Sequence, residues 1–213
     1  MAYRSHSPAR DLNQSQPVVF VVDDDVSMRE ALSGLIAASG LRVECFASAQ
    51  EFLRHRPSRG PSCLVLDVRM PGVGGFQLQR ELVALERELP VIFITAHGDI
   101  AMAVQAMKAG AFEFLPKPFR SEDLLAAIRQ ALEQDRQGRQ RRTELASIRE
   151  RRSRLTQRET QVMVGIARGR LNKQIAAELG VSENTIKAHR RHMMKKMNAA
   201  NFAELMLMME RLL

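Results

Sequence analysis

Tryptophan is absent from this sequence of 213 residues, tyrosine occurs once and cysteine only twice. Two cysteines are too few for a disulfide framework or a cysteine-rich zinc site. Cys45 and Cys63 each lie inside an apolar run, so buried free thiols are expected. Long hydrophobic runs are also missing. A stretch such as Val18–Val22 is far short of the roughly 20 residues needed to cross a bilayer, which excludes a membrane partner of that kind. The first sixteen residues mix Arg, Ser, Gln and Asn with no apolar core of a secretory signal, and are expected to form a disordered tail, 1–16. These absences together point to the cytoplasm.

What is present is an ordinary globular composition, 45% hydrophobic and 26% charged, with the charge unevenly placed. Residues 1–120 carry 13 Lys and Arg against 13 Asp and Glu, whereas residues 121–213 carry 19 against 11. The entire net charge of +8 therefore lies in the second part. Segregation on this scale accompanies a polyanionic partner.

The first 120 residues alternate short β-like runs with amphipathic stretches. Strands are expected at Val18–Val22, Leu41–Cys45, Cys63–Leu66, Val91–Thr95 and Phe112–Leu115, and helices at Ser27–Ser39, Ala49–Arg54, Phe76–Glu88 and Ile100–Lys108. Several strands are almost wholly apolar, as befits strands covered on both faces. Ser48 and Glu51 have capping-box spacing. Regular βα alternation predicts a five-stranded parallel sheet, doubly wound in the flavodoxin manner. A fifth helix begins at Ser121, with Leu124, Leu125, Ile128 and Leu132 directed at the sheet. Its stripe fades into the Arg-rich run 134–152, where Asp135, Arg139 and Arg142 fall on the next seam positions, so a helical linker without a stable coiled coil is expected. The remainder is all-helical: Thr156 to Glu159 forms a second capping box, Asn172 is expected to cap a helix that ends before Gly180, Ser182 caps the next through Met197, and Asn201 caps the last. The expected division is 17–133, a linker over 134–152, and 153–213.

In an open parallel sheet, chemistry collects beyond the carboxyl ends of the strands. There the first strand delivers Asp23, Asp24 and Asp25, the third Asp67, the fourth Thr95 and the fifth Lys117. Neighbouring carboxylates repel unless a cation joins them, and an all-oxygen acidic site suits magnesium or manganese. A carboxylate can accept a phosphoryl group, with a hydroxyl and an ammonium holding the phosphoryl oxygens. One aspartate after a strand is commonly a helix cap; the ordered set across four strand ends is what points to a site.

Val22-Asp23-Asp24-Asp25, Leu66-Asp67-Val-Arg-Met-Pro-Gly72, Ile94-Thr95-Ala-His-Gly98, Met107-Lys108-Ala-Gly110 and Leu115-Pro-Lys117-Pro-Phe119 resemble the receiver domain of response regulators over about residues 17–135. The resemblance implies Asp67 as phospho-acceptor and Asp23, Asp24, Asp67 and the backbone carbonyl of Arg69 as metal ligands. It also implies Thr95 and Lys117 as phosphoryl-sensing residues, Phe114 as the aromatic switch, and a cis bond between Lys117 and Pro118. Asp25 has no place in this scheme. Arg69 and His97 flank the site.

In the basic part, Ala176, Gly180 and Ile186 have the spacing of a helix–turn–helix: a small residue where helices cross, a left-handed turn, and an apolar anchor on the second helix. Asn184, Lys187, Arg190, Arg191 and Lys195 lie on the outward side of that second helix, which suits the major groove of duplex DNA. Leu155-Thr-Gln-Arg-Glu159, Asn172-Lys-Gln-Ile-Ala176 and Thr185-Ile-Lys-Ala-His189 resemble the LuxR-type DNA-binding domain. The resemblance implies Lys187, Ala188 and Arg191 as base readers, with Lys173 and Thr185 near phosphates. Met206, Met208 and Met209 read as core with a dimer face. The two domains together resemble the NarL/FixJ family, and the phrase from Thr95 to Ile100 with the Arg-rich linker resembles its FixJ branch. The resemblance implies a DNA-binding transcriptional regulator, not a conventional enzyme. Its expected partners are a sensor histidine kinase, double-stranded promoter DNA, RNA polymerase, and a second copy of the chain on phosphorylation. A haloacid-dehalogenase-like phosphatase also begins with Asp-x-Asp after its first strand, but needs an acidic motif late in the fold where this sequence has Lys117-Pro118, and would leave Asp67 idle. A C-terminal module that binds protein or RNA is the other alternative.

Overall fold

The computed structural model describes residues 16–96 and 99–212. The expected N-terminal tail and His97 lie outside the described residues, save for Gln16. The chain divides into two compact units, the first ending at Arg139 and the second running from Gln140.

The first unit contains strands β1 (Val18–Val22), β2 (Arg42–Phe46), β3 (Ser62–Asp67), β4 (Val91–Thr95) and β5 (Glu113–Pro116). Helices α1 (Val26–Ala38), α2 (Ala49–Arg54), α3 (Gly75–Ala84) and α4 (Ile100–Lys108) alternate with them, and α5 (Ser121–Ser153) follows. All strands are parallel, in the order β2-β1-β3-β4-β5. β1, β3 and β4 are buried along their whole length, as their apolar sequences demand. Alternate residues of these strands feed two cores. Phe20, Leu64, Leu66 and Phe93 meet α2 and α3 on one face, while Val19, Val65, Ile92 and Ile94 meet α1 and α5 on the other.

Two expectations fail around β2 and the turn that follows it. Cys45 is exposed, because an edge strand has a partner on one side only and shorter cover, whereas Cys63 on β3 is buried as expected and burial pushes its thiol up. Ser48 does cap α2 through the Glu51 N–H, but the Glu51 carboxylate accepts from Ala47 rather than Ser48, so the box is displaced by one residue.

α5 runs unbroken from Ser121 to Ser153, and residues 134–139 of the expected linker belong to the first unit. Asp135 is 4% exposed; it accepts from the Ser62 N–H at 2.7 Å and from Arg139 Nε at 2.6 Å. Arg139 also donates to the Ser58 carbonyl at 3.0 Å and to Ser62 Oγ at 3.2 Å. The two polar seam residues thus clasp the helix to the amino end of β3, where a hydrophobic seam would have carried it to another helix.

The second unit packs the end of α5 with α6 (Gln157–Ala167), α7 (Asn172–Leu179), α8 (Glu183–Met197) and α9 (Phe202–Glu210). Its core holds Ile148, Val162, Met163, Ile175, Ala176, Ile186, Met193 and Met197, with Met208 and Met209 against it. Thr156 and Glu159 form the reciprocal capping box at α6. Glu159 is also bonded to Lys196 at 2.6 Å, tying α6 to the end of α8. At Gly165 a Cβ would stand 2.9 Å from Ile175, so only glycine allows α6 and α7 to approach this closely. Gly180 takes the left-handed conformation (φ 67°) that the turn between α7 and α8 requires.

Candidate functional sites: an acidic rim and a basic helix

At the carboxyl edge of the sheet the register brings the strand ends level: Asp67 lies opposite Ile94, and Thr95 opposite Pro116. The Lys117 N–H donates to the Thr95 carbonyl at 2.7 Å, which turns the chain at the rim, and the Lys117–Pro118 bond is cis. Lys117 Nζ then reaches Asp67 Oδ1 at 2.9 Å and Asp23 Oδ2 at 3.1 Å, so one ammonium bridges two carboxylates from β3 and the end of β1. The remaining oxygens are held by the backbone: Asp67 Oδ2 accepts from the Arg69 N–H at 2.7 Å, and Asp23 Oδ1 from the Asp25 N–H at 2.9 Å. Asp23, Asp67 and Thr95 are 1%, 7% and 1% exposed. The floor is tight: a Cβ at Gly75 would stand 2.5 Å from the Asp67 carbonyl oxygen, so α3 can start here only on glycine.

This enclosure sets the electrostatics. Burial pushes the Asp67 carboxyl above its ordinary range and Asp23 adds to the rise; the hydrogen bond and charge of Lys117 and the Arg69 N–H offset it only in part. Burial also disfavours the Lys117 ammonium, but its bonds to Asp67 and Asp23 outweigh that and raise its pKa. A carboxylate made more basic by its surroundings is a better nucleophile than a solvated one.

The structure therefore joins Asp23, Asp67 and Lys117, and sets Thr95 at the adjoining strand end. Asp24 is exposed, and among the described residues no three His, Cys, Asp or Glu side chains come together as a metal-ligating group. Arg69 meets Asp67 through its N–H. Phe114 is half-buried on β5, in register with Phe93. Asp25 has a plain structural role, since its side chain accepts from the N–H groups of Ser27 and Met28 and so caps α1. Asp23 and Asp67 are carboxylate donors of the kind a hard divalent cation takes, and Asp24 stands exposed beside Asp23 in the chain.

On α8, the side away from buried Ile186, Met193 and Met197 exposes Asn184, Lys187, Ala188, Arg191 and Lys195. Lys173 on α7 is exposed too. Thr185 is half-buried, its hydroxyl 2.9 Å from that of the cap residue Ser182. Two residues depart from expectation. Leu171, not Asn172, is the cap of α7, since the Gln174 side chain reaches back to the Leu171 N–H. Asn172 is instead the acceptor for Arg190 Nη1 at 2.7 Å, and Arg190 is half-buried on the flank of α8 rather than outward with its neighbours.

Residues 19–129 match the family model of the response regulator receiver domain, and residues 153–209 that of bacterial regulatory proteins of the luxR family. The chain belongs to the NarL/FixJ family of response regulators. It is 46% identical over 201 residues to the response regulator protein TmoT of Ectopseudomonas mendocina, covering 94% of this chain and 91% of that one. It is 40% identical over 187 residues to the transcriptional regulatory protein FixJ of Bradyrhizobium diazoefficiens, covering 88% and 91%. A solved structure of the response regulator StyR aligns with a TM-score of 0.85 at 49% identity, covering 92% of this chain and 100% of that one. This response regulator thus combines a receiver with a LuxR-type DNA-binding domain, as its relatives in transcription do. Among the described residues, no helix is long and apolar enough to cross a membrane.

Proposed function

We propose that this response regulator is switched by phosphorylation of Asp67 and, once switched, binds promoter DNA as a dimer in the cytoplasm. The observation that carries the proposal is the Lys117 ammonium bonded at once to Asp67 and Asp23 at the strand ends. A carboxylate oxygen of Asp67 attacks the phosphorus of a phosphohistidine on a sensor kinase; the new O–P bond forms as the P–N bond breaks, and the imidazole leaves, taking up a proton. Lys117 is already in place to follow the added oxygens, and the Thr95 hydroxyl closes on them from the neighbouring strand. Asp23, Asp24, Asp67 and the Arg69 carbonyl would hold magnesium, which when bound would supply positive charge to offset that of the transferring group.

The phosphoryl group carries roughly −1.5 to −2 charges, which replace the single charge of the Asp67 carboxylate at a rim where Asp23 and Asp67 already share one lysine. Movement of Lys117 and Thr95 toward it releases the Phe114 side of β5, and the face formed by α4 and β5 then dimerises. Dimerisation sets two α8 helices for a two-fold DNA site. Lys187, Ala188 and Arg191 read bases, while Lys173, Thr185 and Lys195 approach the backbone. A switch from 1:99 to 99:1 needs a bias of about 5.5 kcal/mol.

The test is treatment with acetyl phosphate and magnesium, followed by intact mass, sedimentation and footprinting. The wild type gains one phosphate, dimerises and protects DNA; Asp67→Asn does none of these. Phosphate uptake by Asp67→Asn would overturn the assignment of the acceptor. Binding that survives Lys187→Ala with little salt dependence would overturn the assignment of α8.

A further inference from the structure

The bond between Asn172 and Arg190 ties the first residue of α7 to the middle of α8, 18 positions later. A guanidinium has five N–H donors in a fixed plane, and this contact uses one. The acceptor is an uncharged amide, so it orients the guanidinium without neutralising it. On α8 that distinguishes Arg190 from Lys196, which is paired with Glu159. Elsewhere in the unit Arg158 likewise meets an uncharged amide, that of Gln161, and Arg151 the Met197 carbonyl, while Arg154, Arg170 and Arg211 are paired with Glu150, Glu178 and Glu144. Among the described residues, no ion pair of Arg190 with a carboxylate occurs.

The position matters as much as the charge. Arg190 follows buried Ile186 by one helical turn and Lys187 by three residues, which puts it on the edge between the packed side of α8 and the exposed stripe. On that edge it adjoins the start of α7, where Lys173 is exposed. Side chains in the middle of a helix stripe reach base edges, whereas cations at its flank meet the sugar–phosphate wall of the groove.

We infer that Asn172 is a positioning residue, which holds the Arg190 guanidinium aimed at a DNA phosphate beside Lys173, and that Arg190 grips the backbone and does not read bases. This rests on the reading of α8 as the DNA-binding helix. It gives a separate role to one member of the outward set and a part in DNA binding to a residue whose sequence position suggests a helix cap.

The test is a salt titration of full-length protein on a mixed-sequence duplex followed by fluorescence anisotropy, with thermal melting of each variant alongside. Arg190→Ala is expected to weaken binding about tenfold and to lower the slope of log affinity against log salt by about one. Asn172→Asp keeps the acceptor and the tie between helices but supplies a negative charge. Its carboxylate also repels phosphates directly, a loss that persists unchanged in the Arg190→Ala background; if the tie positions a phosphate-seeking cation, Asn172→Asp loses a further unit of slope only where Arg190 is present, while melting no lower than the wild type. Asn172→Ala is expected to weaken binding in the wild-type background and to have no further effect in Arg190→Ala. An unchanged slope in Arg190→Ala, or a loss of slope in Asn172→Asp no greater with Arg190 present than without it, would overturn the inference. A wild type that shows no affinity for the duplex would instead overturn the reading of α8 itself.

Discussion

The two units handle charge in opposite ways. At the sheet rim the working groups are buried and bonded to one another: Asp23 and Asp67 are 1% and 7% exposed, and Lys117 bridges them. On α8 most of the working groups are exposed, and half-buried Arg190 leans on a neutral amide. Under the proposed function the contrast follows from what each would meet. A phosphoryl acceptor has to be basic and dry, and burial among fixed partners makes it so. A DNA-binding helix meets charges supplied by its partner, so its own cations must stay unspent until the duplex arrives.

Removing the bridging cation should break the comparison most severely. Lys117→Ala leaves two buried carboxylates facing each other and is expected to cost the receiver about 3 kcal/mol in urea unfolding, a loss that magnesium partly restores. A loss below about 1 kcal/mol, unaffected by magnesium, would mean that the rim is more open to water than its geometry indicates.

Next in size is the clasp of α5. Asp135→Ala leaves the Ser62 N–H and the Arg139 guanidinium without their buried acceptor and should cost about 2 kcal/mol. Hydrogen exchange should locate the loss in the receiver, with the helical unit unaffected; equal loosening of both units would contradict the division at Arg139.

The two units should also respond to acid with opposite sign. Burial alone would raise the Glu159 carboxyl, but Lys196 and the Thr156 contacts hold it below its ordinary value of 4.5. A folded pKa below the unfolded one contributes stability above pH 4.5, which is lost as pH falls through the folded value. Asp67 is held above its ordinary 3.8, so its ionisation opposes folding at higher pH and protonation relieves the receiver as pH falls toward that value. Melting curves against pH should show the acid loss of the helical unit diminished in Glu159→Gln and the receiver's opposing trend abolished in Asp67→Asn. Parallel profiles in the variants and the wild type would remove both assignments.

The smallest effect belongs to an exposed pair. Arg154→Ala breaks the bond to Glu150, whose side chain is 66% exposed against 64% for the arginine, and should change stability by less than about 0.5 kcal/mol. A larger change would mean that the Arg-rich run is packed more closely than its exposure indicates.

Much of this was legible along the chain. The strands at Val18–Val22 and Val91–Thr95 and the helices at Ala49–Arg54 and Ile100–Lys108 have the bounds that their periodicity predicts. The rim residues were legible because strand ends in a parallel sheet converge by topology alone. Other details were not. Cys45 looked buried because its neighbours are apolar, yet an edge strand exposes such a residue. Asn172 looked like a cap, yet Gln174 satisfies the Leu171 N–H and frees the asparagine for Arg190. Asp135 and Arg139 looked like solvated seam residues, yet their partners lie 73 to 81 positions away in sequence. Asp25 looked like a spare acid, yet it caps α1.

Alternation of apolar runs, turn residues and charge by itself determined two domains, a parallel sheet with its acids at one rim, and a basic helix–turn–helix, because each of these depends on patterns within a few residues or on the topology they enforce. Only the folded chain decided which oxygen meets which nitrogen: that Lys117 spans Asp23 and Asp67, that Asp135 clasps Ser62, and that Arg190 turns aside to Asn172. Such pairings depend on distances between residues remote in sequence, which packing brings together and no local pattern encodes.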